Sequence, residues 1–180
     1  MNIAIIGTGY VGLVTGVCLA ERGNDVHCID NNPKIVERLA SGQITIYEPG
    51  LDDIYQRNLK KGRIKFSGNL VEAVLRAEVL FLCLPTPPGE DGSADLKYIL
   101  QAAGEIGIIF ARNPDAGYKV IVDKSTVPVG TSDKVDAAIR GHLDPRFEFD
   151  VVSNPEFLRE GFAVEDFLRP ERVVIGSGSE

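Results

Sequence analysis

Six residues near the start of the chain, Gly7-Thr8-Gly9-Tyr10-Val11-Gly12, have the types and spacing to cradle a diphosphate. They follow an apolar segment, Asn2 to Ile6, and open a second apolar stretch that runs to Gly23. A third segment, Val26 to Ile29, ends in Asp30. The order is strand, glycine turn, helix, strand, acid, which is the dinucleotide-binding fingerprint. Gly7 suits the tight turn leaving the strand. At Gly9 a Cβ would collide with a pyrophosphate approaching the backbone. Gly12 lets the helix pack closely on the strand. Unpaired N–H groups at the helix start, with the positive end of its dipole, then face the phosphates. Asp30 stands about 20 residues after the turn, where a carboxylate bonds ribose hydroxyls. Its charge repels a 2′-phosphate and favours NAD over NADP. FAD uses a similar fingerprint, so the cofactor is not settled by these residues alone.

Three more polar segments follow predicted strands. Leu84 to Leu96 is a Pro- and Gly-rich loop in which Asp95 is placed to start a helix. Asp123 to Thr131 contains Ser125 and Thr126, and Thr131 has the type of an N-cap. Ser153 to Gly161 places Asn154 as an N-cap, Pro155 at the first helical position and Glu156 near the positive helix end. Each segment taken alone reads equally well as capping and turn chemistry.

These groups need a frame. Strand-like runs fall near 2–6, 25–29, 64–66, 78–84, 118–123, 149–153 and 172–175. Helices fit near 10–22, 33–40, 51–60, 69–76, 95–111 and 131–141, with a short one beginning near 155. Alternating strands and helices predict an α/β fold, a Rossmann-like doubly wound sheet, mainly parallel, with helices on both faces and a single domain over residues 1–180. Val79 to Leu84 is nearly continuous apolar sequence, as a strand covered on both faces requires. Polar loops past strand carboxyl ends lie where such sheets bind ligands.

Composition narrows the function classes. The 180 residues are 44% hydrophobic and 25% charged, with a net charge of −7. That balance fits a globular protein and argues against nucleic-acid and anionic-membrane partners. No apolar run approaches the ~20 residues of a membrane span, and the first strand is too short for a signal peptide. A cytoplasmic setting is the expectation. Cys18, Cys28 and Cys83 lie in apolar segments and form no CxxC pair, and only two histidines occur. Neither a disulfide framework nor a metal site is expected, and the cysteines read as buried and structural.

The motifs together resemble the N-terminal domain of the UDP-glucose 6-dehydrogenase family, within the UDP-glucose/GDP-mannose dehydrogenase superfamily. The matching stretches are Gly7 to Gly12, Tyr47-Glu-Pro-Gly-Leu51, Pro85-Thr-Pro-Pro88 with Asp91-Gly-Ser-Ala-Asp95, Lys124-Ser-Thr-Val-Pro-Val-Gly130 and Asn154-Pro-Glu-Phe-Leu-Arg-Glu-Gly161. The resemblance implies oxidation of a nucleotide-sugar 6-hydroxyl to a carboxylate, with two NAD and one water, through a thioester on a cysteine. It implies Glu156 as the general acid–base in thioester hydrolysis and Thr126 as a holder of the catalytic water. It implies cofactor contacts at Gly7, Thr8, Gly9, Tyr10, Val11, Gly12 and Asp30, with Thr86, Ser125 and Glu160 on the cofactor side. Lys34 matches a basic residue beside the adenosine ribose, although the segment from Asp30 is one residue shorter than the common pattern. Phe157, Leu158, Arg159 and Glu160 match a segment lining the sugar nucleotide, largely through backbone.

UDP-glucose is the substrate so implied, with a homodimer or higher homo-oligomer as the whole enzyme. GDP-mannose or UDP-N-acetylhexosamine dehydrogenases, and a non-catalytic NAD-binding module, are the alternatives. The family's cysteine nucleophile, its lysine and asparagine partners and most of the uridine pocket belong to a later domain. None of Cys18, Cys28 or Cys83 matches that cysteine, so these 180 residues alone are expected to bind NAD without turnover.

Overall fold

The computed structural model describes residues 1–89 and 92–178. The described residues form β1 (Asn2–Ile6), α1 (Tyr10–Glu21), β2 (Asp25–Ile29), α2 (Pro33–Ala40), α3 (Leu51–Lys60), β3 (Ile64–Ser67) and α4 (Leu70–Arg76). There follow β4 (Val79–Leu82), α5 (Lys97–Arg112), β5 (Lys119–Asp123), α6 (Thr131–Arg140), β6 (Phe149–Ser153), α7 (Ala163–Leu168) and β7 (Gly176–Ser177). Asp91 of the matched loop lies outside the described residues, as do Glu90, Ser179 and Glu180.

The strands make one sheet in the order β3-β2-β1-β4-β5-β6-β7. Its first six strands pair in parallel, and β7 runs antiparallel to β6. The order reverses between β1 and β4, which opens a crevice above their carboxyl ends. The expected doubly wound architecture is therefore present.

Alternation along the strands sorts the two faces. Ala4, Ile6, Leu80, Leu82 and Ile121 pack against α4, α5 and α6. Ile3, Ile5, Val26 and Cys28 pack against α1, α3 and α7. Each fully buried aliphatic side chain contributes about 1.5–3 kcal/mol. Helix α1 buries residues nearly all round, so its inward positions must be small. A Cβ on Gly16 would stand 2.8 Å from the Cys28 sulfur.

Three local expectations are corrected. The apolar run 172–175 is not a strand. Val173, Val174 and Ile175 are exposed, and among the described residues of this C-terminal stretch Gly176 and Ser177 are the ones that pair with β6. The Val174 carbonyl instead accepts a hydrogen bond from the Asn154 side chain at 2.8 Å. The helix expected from 155 does not form, and the chain stays irregular until α7. Asn154 is held by tertiary partners rather than by a helix: its N–H donates to the Asp123 carbonyl at 2.9 Å, and its Oδ1 accepts from Lys124 Nζ at 3.3 Å. The Glu156 carboxylate turns back onto the Leu158 N–H at 2.6 Å, so Pro155 and Glu156 do not occupy a first helical turn. Thr131 does not cap α6, because Gly130 at φ +84° is the N-cap and the Thr131 hydroxyl donates to the Pro128 carbonyl at 2.7 Å. By contrast Asp95 does receive the Lys97 N–H at 2.9 Å where α5 begins.

Candidate active site

A cleft of about 890 Å³ lies over the switch point, within the range of small-molecule sites. Its floor is the β1 exit, Ile6 to Gly9. Its walls come from the exits of β2, β4 and β5 and from α5.

The glycine turn is built as its spacing requires. Gly7 has φ +96°, and a Cβ there would stand 2.4 Å from the Cys83 carbonyl oxygen. A Cβ on Gly12 would stand 1.9 Å from the Gly7 carbonyl oxygen, so the helix sits directly on the turn. Around Gly9 a Cβ meets nothing within 4 Å. That space opens to the cleft, and Gly9 is exposed. Helix α1 begins at Tyr10 with no side-chain cap and no acidic residue in its first turn. By contrast α2 and α4 are capped by Asn32 and Asn69. The first N–H groups of α1 therefore retain donors and positive potential for an anion.

Asp30 closes the turn from β2. Its Oδ2 accepts the Thr8 N–H at 3.0 Å and the Thr8 hydroxyl at 2.6 Å, and its Oδ1 accepts the Asn32 N–H at 2.9 Å. A carboxylate offers about four acceptor sites, so capacity remains for a ribose hydroxyl. Thr8 is buried and serves to fix this carboxylate.

The opposite wall carries the catalytic candidates. Thr126 and Glu156 both line the cleft, as do Thr86, Lys124 and Ser125. The Thr86 hydroxyl donates to the Thr126 carbonyl at 3.1 Å. The Ser125 hydroxyl accepts from Leu84 N–H at 3.1 Å and donates to the Leu84 carbonyl at 2.8 Å, so it ties β5 to the β4 exit. Burial pulls the Lys124 ammonium below its ordinary value, and the Cys83 thiol and Glu156 carboxylate oppose that shift. Cys83 also lines the cleft, but burial pushes its thiol up to about 12. The Cys18 thiol is likewise pushed up to about 12, and the Cys28 thiol is raised further by burial. All three cysteines are buried, as expected.

The remaining candidates lie elsewhere. Lys34 is exposed in the first turn of α2, where its N–H meets the Asn32 cap, and it does not line the cleft. Asn32 and Ile35 line it instead. Phe157 to Glu160 run beyond the cleft rim. Phe157 lies under the Arg172 guanidinium at 4.9 Å, and Leu158 packs against the α1 side of the core. Arg159 pairs with Asp166 at 2.6 Å, and its N–H donates to that same carboxylate at 3.0 Å. Glu160 is exposed and close enough to Tyr10 to raise its phenol.

Two features escaped the reading of the sequence. Tyr98, Gln101, Ala102 and Glu105 form one wall of the cleft from a single face of α5. Their i, i+3, i+4, i+7 spacing was visible, but a mixed polar and apolar stripe carries little signal. The role of Glu48 is the other: the match at Tyr47 to Leu51 includes the residue but assigns it nothing, and it is 4% exposed and bonded to three distant groups.

The profile described as "UDP-glucose/GDP-mannose dehydrogenase family, NAD binding domain" matches residues 1–180. The chain belongs to this family. It therefore carries the family's NAD-binding domain. It is 47% identical to the UDP-glucose 6-dehydrogenase of Pseudomonas aeruginosa, over 98% of this chain and 39% of that protein. The solved UDP-glucose dehydrogenase of Pyrobaculum islandicum superposes with a TM-score of 0.91 at 44% identity, over 98% of this chain and 40% of that one. The GDP-mannose dehydrogenase of Pseudomonas aeruginosa superposes with a TM-score of 0.92 at 35% identity, over 98% and 41%. The chain thus spans about two fifths of the length of these relatives. No helix among the described residues is long and apolar enough to cross a membrane.

Proposed function

We propose that this chain is the cofactor-binding portion of an NAD-dependent UDP-glucose 6-dehydrogenase. The observation that carries the reading is the shared cleft: the uncapped start of α1, Asp30, Thr126 and Glu156 all border one cavity at the switch point. Identities of 44% to a solved UDP-glucose dehydrogenase and 35% to a GDP-mannose dehydrogenase support the glucose nucleotide.

The residues divide the work. The N–H groups of Tyr10, Val11 and Gly12 hold the diphosphate, and Asp30 takes a ribose hydroxyl. Bound NAD supplies the hydride acceptor. Thr126 orients a water and Glu156 takes its proton, so that hydroxide adds to the acyl carbon of a thioester, the C–S bond breaks, the cysteine thiolate is expelled and the uronate is released. The backbone bond from Leu158 N–H fixes one Glu156 oxygen and leaves the other for the water. Thr86 steadies the Thr126 backbone. Burial raises the Cys18, Cys28 and Cys83 thiols and so makes them poor nucleophiles at neutral pH, which supports a thioester sulfur other than these three. It comes from residues beyond these 180, which also complete the uridine pocket and the homo-oligomer.

The test is Glu156→Gln in a full-length protein carrying this domain. UDP-glucuronate release falls by about 10²–10⁴-fold, the usual span for a lost general base. A covalent adduct accumulates, while NAD affinity stays within about threefold. Unchanged turnover sinks the assignment and leaves a non-catalytic NAD-binding module.

A further inference from the structure

Glu48 sits in the connection between α2 and α3, just before Pro49 and Gly50. Its carboxylate is buried, yet three donors from two other parts of the chain converge on it. The Tyr10 hydroxyl donates to Oε2 at 2.5 Å. The Gly161 N–H donates to the same oxygen at 2.9 Å, and the Ala163 N–H donates to Oε1 at 2.8 Å. Burial raises this carboxyl, but the three donors outweigh burial and hold it below the ordinary carboxylate range. An ionised carboxylate with no proton of its own is the side chain that satisfies three donors at once. The same contact raises the Tyr10 phenol, after burial, so the shared proton stays on tyrosine.

The ends of this bridge matter. Tyr10 is the first residue of α1, and its backbone lies on the phosphate turn. Gly161, at φ +88°, and Ala163 end the irregular segment that begins at Asn154 and carries Glu156. Glu48 also gives α7 the first-turn acceptor that its own residues do not supply.

We infer that Glu48 is a positioning residue: it registers the Glu156-bearing segment against the phosphate turn, so that occupancy of the turn orders the segment. The inference rests on the reading of that turn as the NAD site. Anchoring the first turn of α1 fixes the Tyr10 ring, the ring fixes the carboxylate, and the carboxylate fixes two backbone N–H groups. Coupling of this kind appears as a change in local opening.

Amide hydrogen exchange of the protein, with and without millimolar NAD, reads it. In the natural sequence, saturating NAD slows exchange at Gly161 and Ala163 by about tenfold, equivalent to ~1.4 kcal/mol. In Glu48→Gln the amide must face a backbone donor, and the NAD-induced slowing falls below about twofold although NAD still shifts residues 7–12. Tyr10→Phe keeps Glu48 and both backbone bonds but cuts the link to the turn, so NAD still shifts residues 7–12 while its slowing of exchange at Gly161 and Ala163 is lost. A purely structural Glu48 does not produce that split. NAD shifts confined to residues 7–12, or a full NAD response in Tyr10→Phe, overturn the inference alone. No NAD response anywhere overturns the cofactor reading as well.

Discussion

Gly12→Ala is expected to destabilise the fold by at least ~3 kcal/mol, a large share of the ~5–15 kcal/mol typical of a domain. The added methyl would lie 1.9 Å from the Gly7 carbonyl oxygen and 3.0 Å from its carbon. Both atoms are backbone, so no rotamer change relieves the contact. Helix α1 must lift off the turn, which also spoils the packing of Leu13 and Val14. Gly9→Ala makes the informative contrast. Its methyl meets no protein atom within 4 Å, and Gly9 has φ −65°, a value any residue adopts. Stability should therefore change by less than ~0.5 kcal/mol, or rise slightly through the unfolded state. The methyl instead occupies the diphosphate's approach, and NAD affinity should fall by at least about tenfold. Denaturant melts and calorimetric titrations on the two variants check this. A stable Gly12→Ala, or an NAD-competent Gly9→Ala, contradicts the assignment of the turn.

Asp123→Asn should have the opposite sign, stabilising the protein near neutral pH. Asp123 ends β5, is 1% exposed, and neither carboxylate oxygen completes a hydrogen bond. Burial pushes its carboxyl from an ordinary 3.8 up to about 6. A carboxyl raised on folding binds its proton more tightly in the folded state. Its contribution is therefore neutral at acid pH, turns unfavourable as pH rises from about 4 to about 6, and stays so above. The difference converts to a cost on the order of 2–3 kcal/mol at pH 7.5. An amide carries no charge to desolvate. The variant should gain about 2 kcal/mol at pH 7.5, a Tm rise of roughly 4–8 °C, and almost nothing at about pH 3. A loss at pH 7.5, or an equal gain at both pH values, rules this explanation out.

Much of the fold was legible because its signals were redundant. Ile3 to Ile6, Val26 to Ile29 and Val79 to Leu82 are short apolar runs between helix-length segments, and buried parallel strands look like that. The turn from Gly7 to Gly12 was legible because each glycine answers a separate steric demand. Thr126 and Glu156 were legible only as residues just past strand ends, made specific by the family resemblance. Asn154-Pro155-Glu156 misled because its residue types match a helix start, while Asp123, Lys124 and Val174 supply partners that no local pattern reveals. Thr131 misled in the same way, since Gly130 and Pro128 already complete that corner. Glu48 fell within a matched stretch, but its role was opaque because its partners lie 38 to 115 residues away.

The most direct test is a titration of the ¹⁵N-labelled chain with NAD and, separately, NADP. NAD should shift the amides of residues 7–12 and 30–32 at millimolar concentration or below. NADP should bind at least about tenfold more weakly, because its 2′-phosphate meets the Asp30 carboxylate, and Asp30→Ala should narrow that gap. Silence at the glycine turn, or shifts gathered on another face of the sheet, would contradict the cofactor site on which the proposed enzyme depends.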